Sequence, residues 1–238
     1  MEPEQAYTNL TLALCRISNI SVRSLYLRFH EAQKANYMAL PASVKKHHCW
    51  PGGYAVHIDE VVTNLLAMLD TLPVIVDFTL DDAITAAYVH DIDKLLYRYE
   101  ETSDPASDAQ VRYARQLGIQ NPESHNKNSL SLLIDAAKNG KKVDVSRLPK
   151  HDYRKEALSF DDGALVKQLC CEHQLDLSYM ALHAICWHHG GWAPIAQSGR
   201  QGLSSTKPLG ALLHAADFIS ASAQMGDRNL RKLGGANV

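Results

Sequence analysis

The chain lacks several features that would place it in a specialised class of protein. Its net charge is only −2, because 24 lysines and arginines stand against 26 aspartates and glutamates; this argues against a uniformly basic nucleic-acid-binding surface. No apolar run approaches the roughly 18 residues of a membrane-spanning helix, so we expect no membrane association. The 5 cysteines include no CxxC pair and predict neither a disulfide framework nor a thiolate zinc site.

The remaining composition is that of an ordinary globular domain. The chain has 238 residues, of which 46% are hydrophobic and 21% charged, and this suffices for one hydrophobic core. The N-terminal segment is acidic before its short apolar stretch, so we expect no secretory signal and a cytoplasmic protein. We therefore predict a single domain over residues 1–238.

Apolar residues recur at three- and four-residue intervals over most of the chain, which predicts helices. The predicted helices cover residues 24–40, 55–72, 79–101, 161–174, 177–190 and 207–225. Thr79 is the predicted N-cap of the third helix. No segment alternates apolar and polar residues between turn signals, so we expect little or no β-sheet. The predicted fold class is all-α, a helical bundle.

Residues 102–160 differ from the rest of the chain in being rich in proline, asparagine, serine and lysine. Only residues 129–138 show clear helical periodicity within this segment. We interpret it as an insertion or lid of loops and short helices. Its second half is basic, which suits either a solvated surface or an electrostatic funnel for an anionic substrate.

Histidine is unevenly distributed along the chain. Of the 12 histidines, eight lie in the four short segments KKHHCWPGGYAVH, YVHDIDK, LHAICWHHGG and LLHAAD. In the second segment His90 and Asp91 are neighbours, and imidazole with carboxylate suits Fe, Mn, Zn, Co or Ni better than Ca. Adjacent helical residues point about 100° apart. One metal would therefore reach both only where the helix lines a cleft.

Two further polar residues lie in helices that are otherwise apolar. Asp217 is in LLHAADFIS, and a buried carboxylate is unfavourable unless it is paired or bound to metal. His57 is flanked by valine and isoleucine in AVHIDEVV. Polar residues from separate helices can form a metal site inside a bundle. The sequence therefore predicts that His57, His90, Asp91 and Asp217 bind a divalent metal.

The order of these four residues resembles the ligand signature of the HD-domain superfamily of metal-dependent phosphohydrolases. KKHHCWPGGYAVH is similar to the HH-x-x-x-GG-x-x-x-H segment of HD-domain 3′-5′ exoribonucleases. YVHDIDK resembles their H-D-[IL]-G-K segment, with Asp93 in place of glycine, and HAICWHHGG and LLHAAD resemble two further motifs. The resemblance covers residues 45–100 and 160–225, and it implies an HD-domain helical bundle.

The resemblance also implies a second metal site in dimetal relatives. There Asp91 would bridge to a second metal held by two more histidines, and His188 matches one of them. The other histidine has no counterpart, because the corresponding stretch is SFDDGALVKQL. The alternatives for that position are Asp161, Asp162, His183 and His125.

Three residues are predicted to act in catalysis: Lys94, Asp91 and His48. Lys94 lies one turn after His90, where a cation would hold a phosphate oxygen and stabilise charge in the transition state. His47 and His48 would line the cleft as acid or phosphate ligands. The tryptophans beside the motifs would either stack on a base or form the walls of a pocket; they are Trp50, Trp187 and Trp192.

The implied reaction is hydrolysis of a phosphoester by a metal-activated water. The expected cofactor is a divalent metal, Mn, Fe, Co, Ni, Zn or Mg, in one site, with a second site left open. The expected substrate is a small phosphorylated molecule such as a nucleotide, or a short oligonucleotide 3′ end. Two other functions are compatible with the same sequence: an HD-type diiron oxygenase and a non-catalytic nucleotide-sensing module. The sequence indicates no oligomeric state.

Overall fold

The computed structural model describes residues 1–44, 46–71, 77–101, 104–145, 148, 150–154, 156, 162–193 and 207–223. Over these residues the protein contains 11 α-helices and one small sheet, so the predicted all-α class is confirmed. The helices are α1 (Pro3–Cys15), α2 (Ile20–Ala32), α3 (Lys34–Ala39), α4 (Gly53–Thr71), α5 (Leu80–Val89), α6 (Ile92–Leu96), α7 (Asp108–Gln116), α8 (Lys127–Lys138), α9 (Asp162–Glu172), α10 (Tyr179–Trp187) and α11 (Pro208–Ala223).

Helix α4 lies at the centre of the main core. It packs against α1, α3, α5 and α11, while α10 packs against α5, α9 and α11. The apolar side chains of α4 between Tyr54 and Leu65 are buried, whereas those of its last turns are partly or fully exposed. Burial of an apolar face stabilises a helix more than its intrinsic propensity does. Two polar residues of α4, His57 and Asp59, are thereby held inside the protein.

The segment predicted to be an insertion has a small hydrophobic cluster separate from the main core. It contains α7, α8 and a 3-10 turn at Pro122–Ser124, and its cluster is built on Ala114, Leu130 and Ile134. Strand β2 (His151–Tyr153) pairs antiparallel with β1 (Tyr99–Glu101). This two-stranded sheet joins the segment to the end of α6.

The structure divides two helices that the periodicity predicts as continuous. Residues 24–40 form α2 and α3, which meet at Gln33. Residues 79–101 form α5, α6 and β1, with His90 and Asp91 between the two helices. Helix α1, by contrast, was not predicted. The periodicity missed the two divisions because a short break leaves the hydrophobic repeat nearly unchanged.

The N-terminus of α5 is formed by a capping box. The Thr79 hydroxyl accepts a hydrogen bond from the backbone N–H of Asp82 at 3.1 Å, and the Asp82 carboxylate accepts one from the Thr79 N–H at 2.7 Å. The two interactions satisfy donors that a helix start leaves free. The predicted N-cap is confirmed. Among the described residues, no helix has the length and apolar character needed to cross a membrane.

Candidate metal centre

Three parts of the fold bring the four predicted ligands together. His57 comes from α4, His90 and Asp91 from the junction of α5 and α6, and Asp217 from α11. The Nε2 atom of His57 is 3.3 Å from Asp91 Oδ2 and 3.3 Å from Asp217 Oδ1. The Nε2 atom of His90 is 3.4 Å from Asp91 Oδ2 and 3.9 Å from Asp217 Oδ1.

The break between α5 and α6 changes how His90 and Asp91 reach one another. The expected continuous helix is wrong at this point, because α5 ends at Val89 and α6 begins at Ile92. Asp91 has φ −116° and ψ 23°, so it leaves the helical conformation before α6 begins. The side chains of the doublet therefore converge on one point, although adjacent residues in a regular helix would diverge.

The convergent residues are buried. His57 and His90 have no exposed surface, and Asp91 is 4% exposed. The Nε2 atoms of both histidines make no hydrogen bond to any residue that the structure describes, although a buried polar atom ordinarily has a partner. Ligand atoms of His57, His90 and Asp217 lie within 4.8 Å of one another. These buried groups could hold a metal ion, and imidazole with carboxylate suits a first-row transition metal.

Charges around the cluster keep its carboxylates ionised. Burial opposes ionisation of Asp217, but its interactions with His57 and His90 lower its pKa well below the usual range. Burial likewise opposes ionisation of Asp91, but Lys94 and His90 lower its pKa. The Lys94 Nζ atom lies 2.5 Å from Asp91 Oδ2. Lys94 is thus paired with the buried Asp91, while the side chain of Asp217 is 17% exposed. A cation between the two carboxylates would offset the remaining negative charge.

Each of three buried histidines is oriented through its Nδ1 atom. That atom lies 2.8 Å from the Ala87 carbonyl oxygen in His90 and 2.5 Å from the Ile185 carbonyl oxygen in His188. In His57 it lies 3.0 Å from the Ser220 hydroxyl. A carbonyl can only accept, so His90 and His188 donate from Nδ1 and direct the lone pair of Nε2 into the protein.

A second group of candidate ligands adjoins the first. Its members are His188, His189 and Asp217, whose ligand atoms lie within 4.8 Å of one another. The centroid of the His188 ring is 5.2 Å from the centroid of the His90 ring. Burial and the neighbouring His189 and His90 lower the pKa of His188 to about 3, so this imidazole is neutral near pH 7 and available as a ligand. His188 was predicted for a second site, whereas His189 was not.

The remaining candidates for the second site lie elsewhere or outside the described residues. Asp161 and the Asp162 side chain belong to the part of the chain that the structure does not describe. The centroid of the His183 ring lies 6.2 Å from that of Trp187 and 6.0 Å from that of Tyr179. Among the described residues, neither His183 nor His125 joins a group with metal-ligand spacing.

Gly52, just before α4, and Gly53, its first residue, are each required for a different geometric reason. A Cβ atom on Gly53 would lie 2.1 Å from the carbonyl oxygen of His48, so only glycine fits at this approach. Gly52 has φ +78°, a left-handed conformation that glycine adopts readily. His48 itself has φ 46°. The glycines thus let the segment before α4 fold closely against the start of the helix.

That close packing brings two more histidines beside His57. His47, His48 and His57 have ligand atoms within 4.8 Å of one another. The Nδ1 atoms of His47 and His48 are 3.2 Å apart, and His48 Nε2 is 3.1 Å from Glu60 Oε2. Burial and the nearby His57 and Lys94 lower the pKa of His47 to about 2. The predicted catalytic role of His48 stays a prediction.

The structure shows how far the tryptophans and the apolar residues of α11 are buried. Trp50 and Trp187 are 1% and 0% exposed, so they lie inside the protein and offer no exposed face for stacking on a base. The Trp192 side chain lies outside the described residues. Phe218 and Ile219, two of the apolar residues that follow Asp217 in LLHAADFIS, are 61% and 49% exposed. Only one face of α11 carries its buried residues.

Sequence reasoning missed Glu60 and Ser220. Ser220 Oγ contacts His57 Nδ1 and lies 2.9 Å from Glu60 Oε2. Each follows a predicted ligand by three residues, since Glu60 follows His57 and Ser220 follows Asp217. Positions three residues apart share a helix face. The sequence signal that could have found them is a polar residue three positions after a predicted ligand.

Comparisons of the chain with protein-family models, with curated proteins and with solved structures find no match. Membership of the HD-domain superfamily therefore stays a prediction.

Proposed function

We propose that the protein is a metal-dependent phosphohydrolase of the HD-domain type. One observation carries the proposal: the buried Nε2 atoms of His57 and His90 make no hydrogen bond to a described residue while facing the ionised carboxylates of Asp91 and Asp217. Imidazole lone pairs and carboxylates in this arrangement form a donor set for Mn, Fe, Co, Ni or Zn. Mg is included as a less suitable ion, because it prefers oxygen ligands.

When bound, a divalent metal supplies Lewis acidity and lowers the pKa of water enough to provide hydroxide near neutral pH. The chain's own residues supply orientation and charge. His57 and His90 direct their Nε2 atoms to the centre. Lys94 carries a positive charge held beside Asp91, because Asp91 and Asp217 raise its pKa despite burial. This cation would stabilise negative charge on a phosphoryl oxygen in the transition state.

The proposed substrate is a small phosphorylated molecule such as a nucleotide, or a short oligonucleotide 3′ end. The net charge of −2 favours a small substrate over a long polyanion. The burial of Trp50 and Trp187 also removes two candidates for a base-stacking platform. The proposal includes the cytoplasmic location expected from the sequence.

The test combines metal analysis with a substrate panel. Purified protein is loaded in turn with Mn, Fe, Co, Ni, Zn and Mg, and phosphate release is measured from nucleoside monophosphates, short oligonucleotides and simple phosphoesters. We expect release with at least one metal and its loss in His90→Ala and Asp217→Ala. His125→Ala is the control, because His125 joins none of the ligand groups in the described residues. Stoichiometric metal binding without release from any compound would contradict hydrolase activity.

A diiron oxygenase is the second candidate, and the second ligand group favours it. His188, His189 and Asp217 adjoin the first group and share Asp217 with it. Two neighbouring sites would suit two irons. Iron content after anaerobic purification, followed by substrate-dependent consumption of O₂, distinguishes the candidates. Two irons per chain with O₂ uptake would favour the oxygenase.

A further inference from the structure

A chain of polar groups lies behind His57, on the side of the ring opposite the two aspartates. The Nδ1 atom of His57 is 3.0 Å from Ser220 Oγ, and Ser220 Oγ donates to Glu60 Oε2 at 2.9 Å. The same Glu60 oxygen lies 3.1 Å from His48 Nε2. His57 and Ser220 are buried, at 0% and 1% exposure. The contact between His57 and Ser220 therefore has little competition from water, whereas the Glu60 side chain is 22% exposed.

Donor and acceptor roles in this chain follow from the carboxylate. An ionised carboxylate can only accept, and a serine hydroxyl has one hydrogen to donate. The Ser220 hydrogen is directed to Glu60, so the Ser220 oxygen must accept from His57 Nδ1–H. In a neutral imidazole with hydrogen on Nδ1, the lone pair is on Nε2. That lone pair faces Asp91 and Asp217, where the candidate cation would bind.

Glu60 is ionised in this environment. Burial alone would raise its pKa, but hydrogen bonds and charge from His48, together with the hydrogen bond from Ser220, lower the pKa below its ordinary value. The carboxylate thus accepts from Ser220 without a proton of its own.

We propose that Glu60 is a positioning residue that acts through Ser220 to fix the tautomer of His57, so that Nε2 of His57 is the metal ligand. The proposal rests on the proposed function, because it assumes that a metal binds at His57. The ligands and the residues that position them come from two helices. Helix α4 supplies the ligand His57 and the positioning residue Glu60, and α11 supplies Asp217 and Ser220.

Removal of the carboxylate should reverse the tautomer. Without Glu60, the Ser220 hydroxyl is free to donate to His57 Nδ1, and the imidazole hydrogen moves to Nε2. That hydrogen would face the aspartates and block the metal. Loss of such an outer partner commonly weakens metal binding about 10- to 100-fold.

The first experiment measures Zn²⁺ and Mn²⁺ affinity by competition with a chromophoric chelator. Glu60→Met removes the acceptor with little change in length, and we expect a 10- to 100-fold loss of affinity. Asp59→Leu is the matched control, because Asp59 is 2% exposed on the same helix and accepts a hydrogen bond from Asn9 at 3.0 Å. We expect its affinity to stay within about threefold of wild type. Glu60→Gln keeps a carbonyl acceptor and should retain most of the affinity.

The second experiment observes the hydrogen bond itself. In zinc-loaded protein with ¹⁵N-labelled histidine, the His57 Nδ1–H should give a slowly exchanging signal in wild type and in Glu60→Gln. The signal should be lost in Glu60→Met and in Ser220→Ala. If Glu60→Met does not fold, Ser220→Ala still tests whether the contact through Ser220 fixes the tautomer of His57. A purely structural role for Glu60 would leave this signal in place.

The outcomes separate the two proposals. If wild type binds metal and both Glu60→Met and Ser220→Ala bind it equally well, the positioning role is overturned while the metal centre stands. If the Nδ1–H signal persists in both variants, the role of Glu60 in setting the tautomer is overturned. If wild type binds none of the metals, the proposed function and this inference both fail.

Discussion

The buried centre and residues 102–160, the predicted insertion, differ in how their histidines are placed. In the centre, His57, His90 and His188 are fully or almost fully buried, and their Nε2 atoms make no hydrogen bond to a described residue. In the insertion, His125 and His151 are half-buried and join none of the ligand groups found among the described residues. Burial combined with orientation, rather than the number of histidines, therefore separates candidate ligands from other histidines. The predictions below test that difference.

The largest effect is expected for a ligand in the centre. His90→Ala removes an imidazole that faces the carboxylates of Asp91 and Asp217. We expect metal affinity to fall by more than about 100-fold, beyond the range seen for outer-shell partners. Metal content measured by mass spectrometry, with affinity from chelator competition, checks this. The insertion variant His125→Ala should bind metal as wild type does; an equal loss in both variants would remove the distinction between the two regions.

The next effect concerns the backbone that supports the centre. A Cβ atom on Gly53 would meet the His48 carbonyl oxygen at 2.1 Å, whereas one on Gly191 would meet nothing within 4 Å. Gly53→Ala should destabilise the fold by about 1–3 kcal/mol, in the range of overpacked cores, and should also weaken metal binding. Denaturant unfolding followed by circular dichroism measures the change. Gly191→Ala serves as the control, and similar values for the two variants would contradict the close approach.

A third effect appears as a dependence of stability on pH. His30 lies in the main core, where burial lowers its pKa to about 4, below the ordinary value of about 6.5. The unfolded chain binds the proton more tightly, so stability is complete above about pH 6.5 and falls as the pH drops towards 4. Protonation of His30 can therefore lower the free energy of unfolding by roughly 3 kcal/mol at most.

The variants for this pH effect again contrast the two regions. His30→Gln should flatten the dependence between pH 6.5 and 4, measured as the free energy of unfolding at several pH values. His125→Gln in the insertion should change the slope much less, because His125 is only half-buried. A wild-type stability that does not fall over this range would show that His30 does not set it.

The sequence was sufficient for the fold class and for finding the four residues that converge at the centre. Periodicity predicts the helices because each helix buries one face. The break at His90 and Asp91 could not be predicted, because periodicity carries no signal for a tertiary contact such as the hydrogen bond that Tyr54 donates to the Asp91 carbonyl oxygen. The pairing of Glu60 with Ser220 joins residues 160 positions apart, and single-sequence patterns carry no signal for such a contact. The strand β2 is three residues long, which is too short for a detectable alternation.

The smallest effect is expected on the surface of the insertion. Arg115 and Glu123 form an ion pair there with side chains 62% and 51% exposed. Pairs so well solvated contribute little, because water and salt screen the attraction and ordering two long side chains costs entropy. Glu123→Ala should therefore change the free energy of unfolding by less than about 1 kcal/mol, with metal affinity unchanged. A larger loss, or one that persists in high salt, would mean that the insertion depends on buried charge in the way that the centre does.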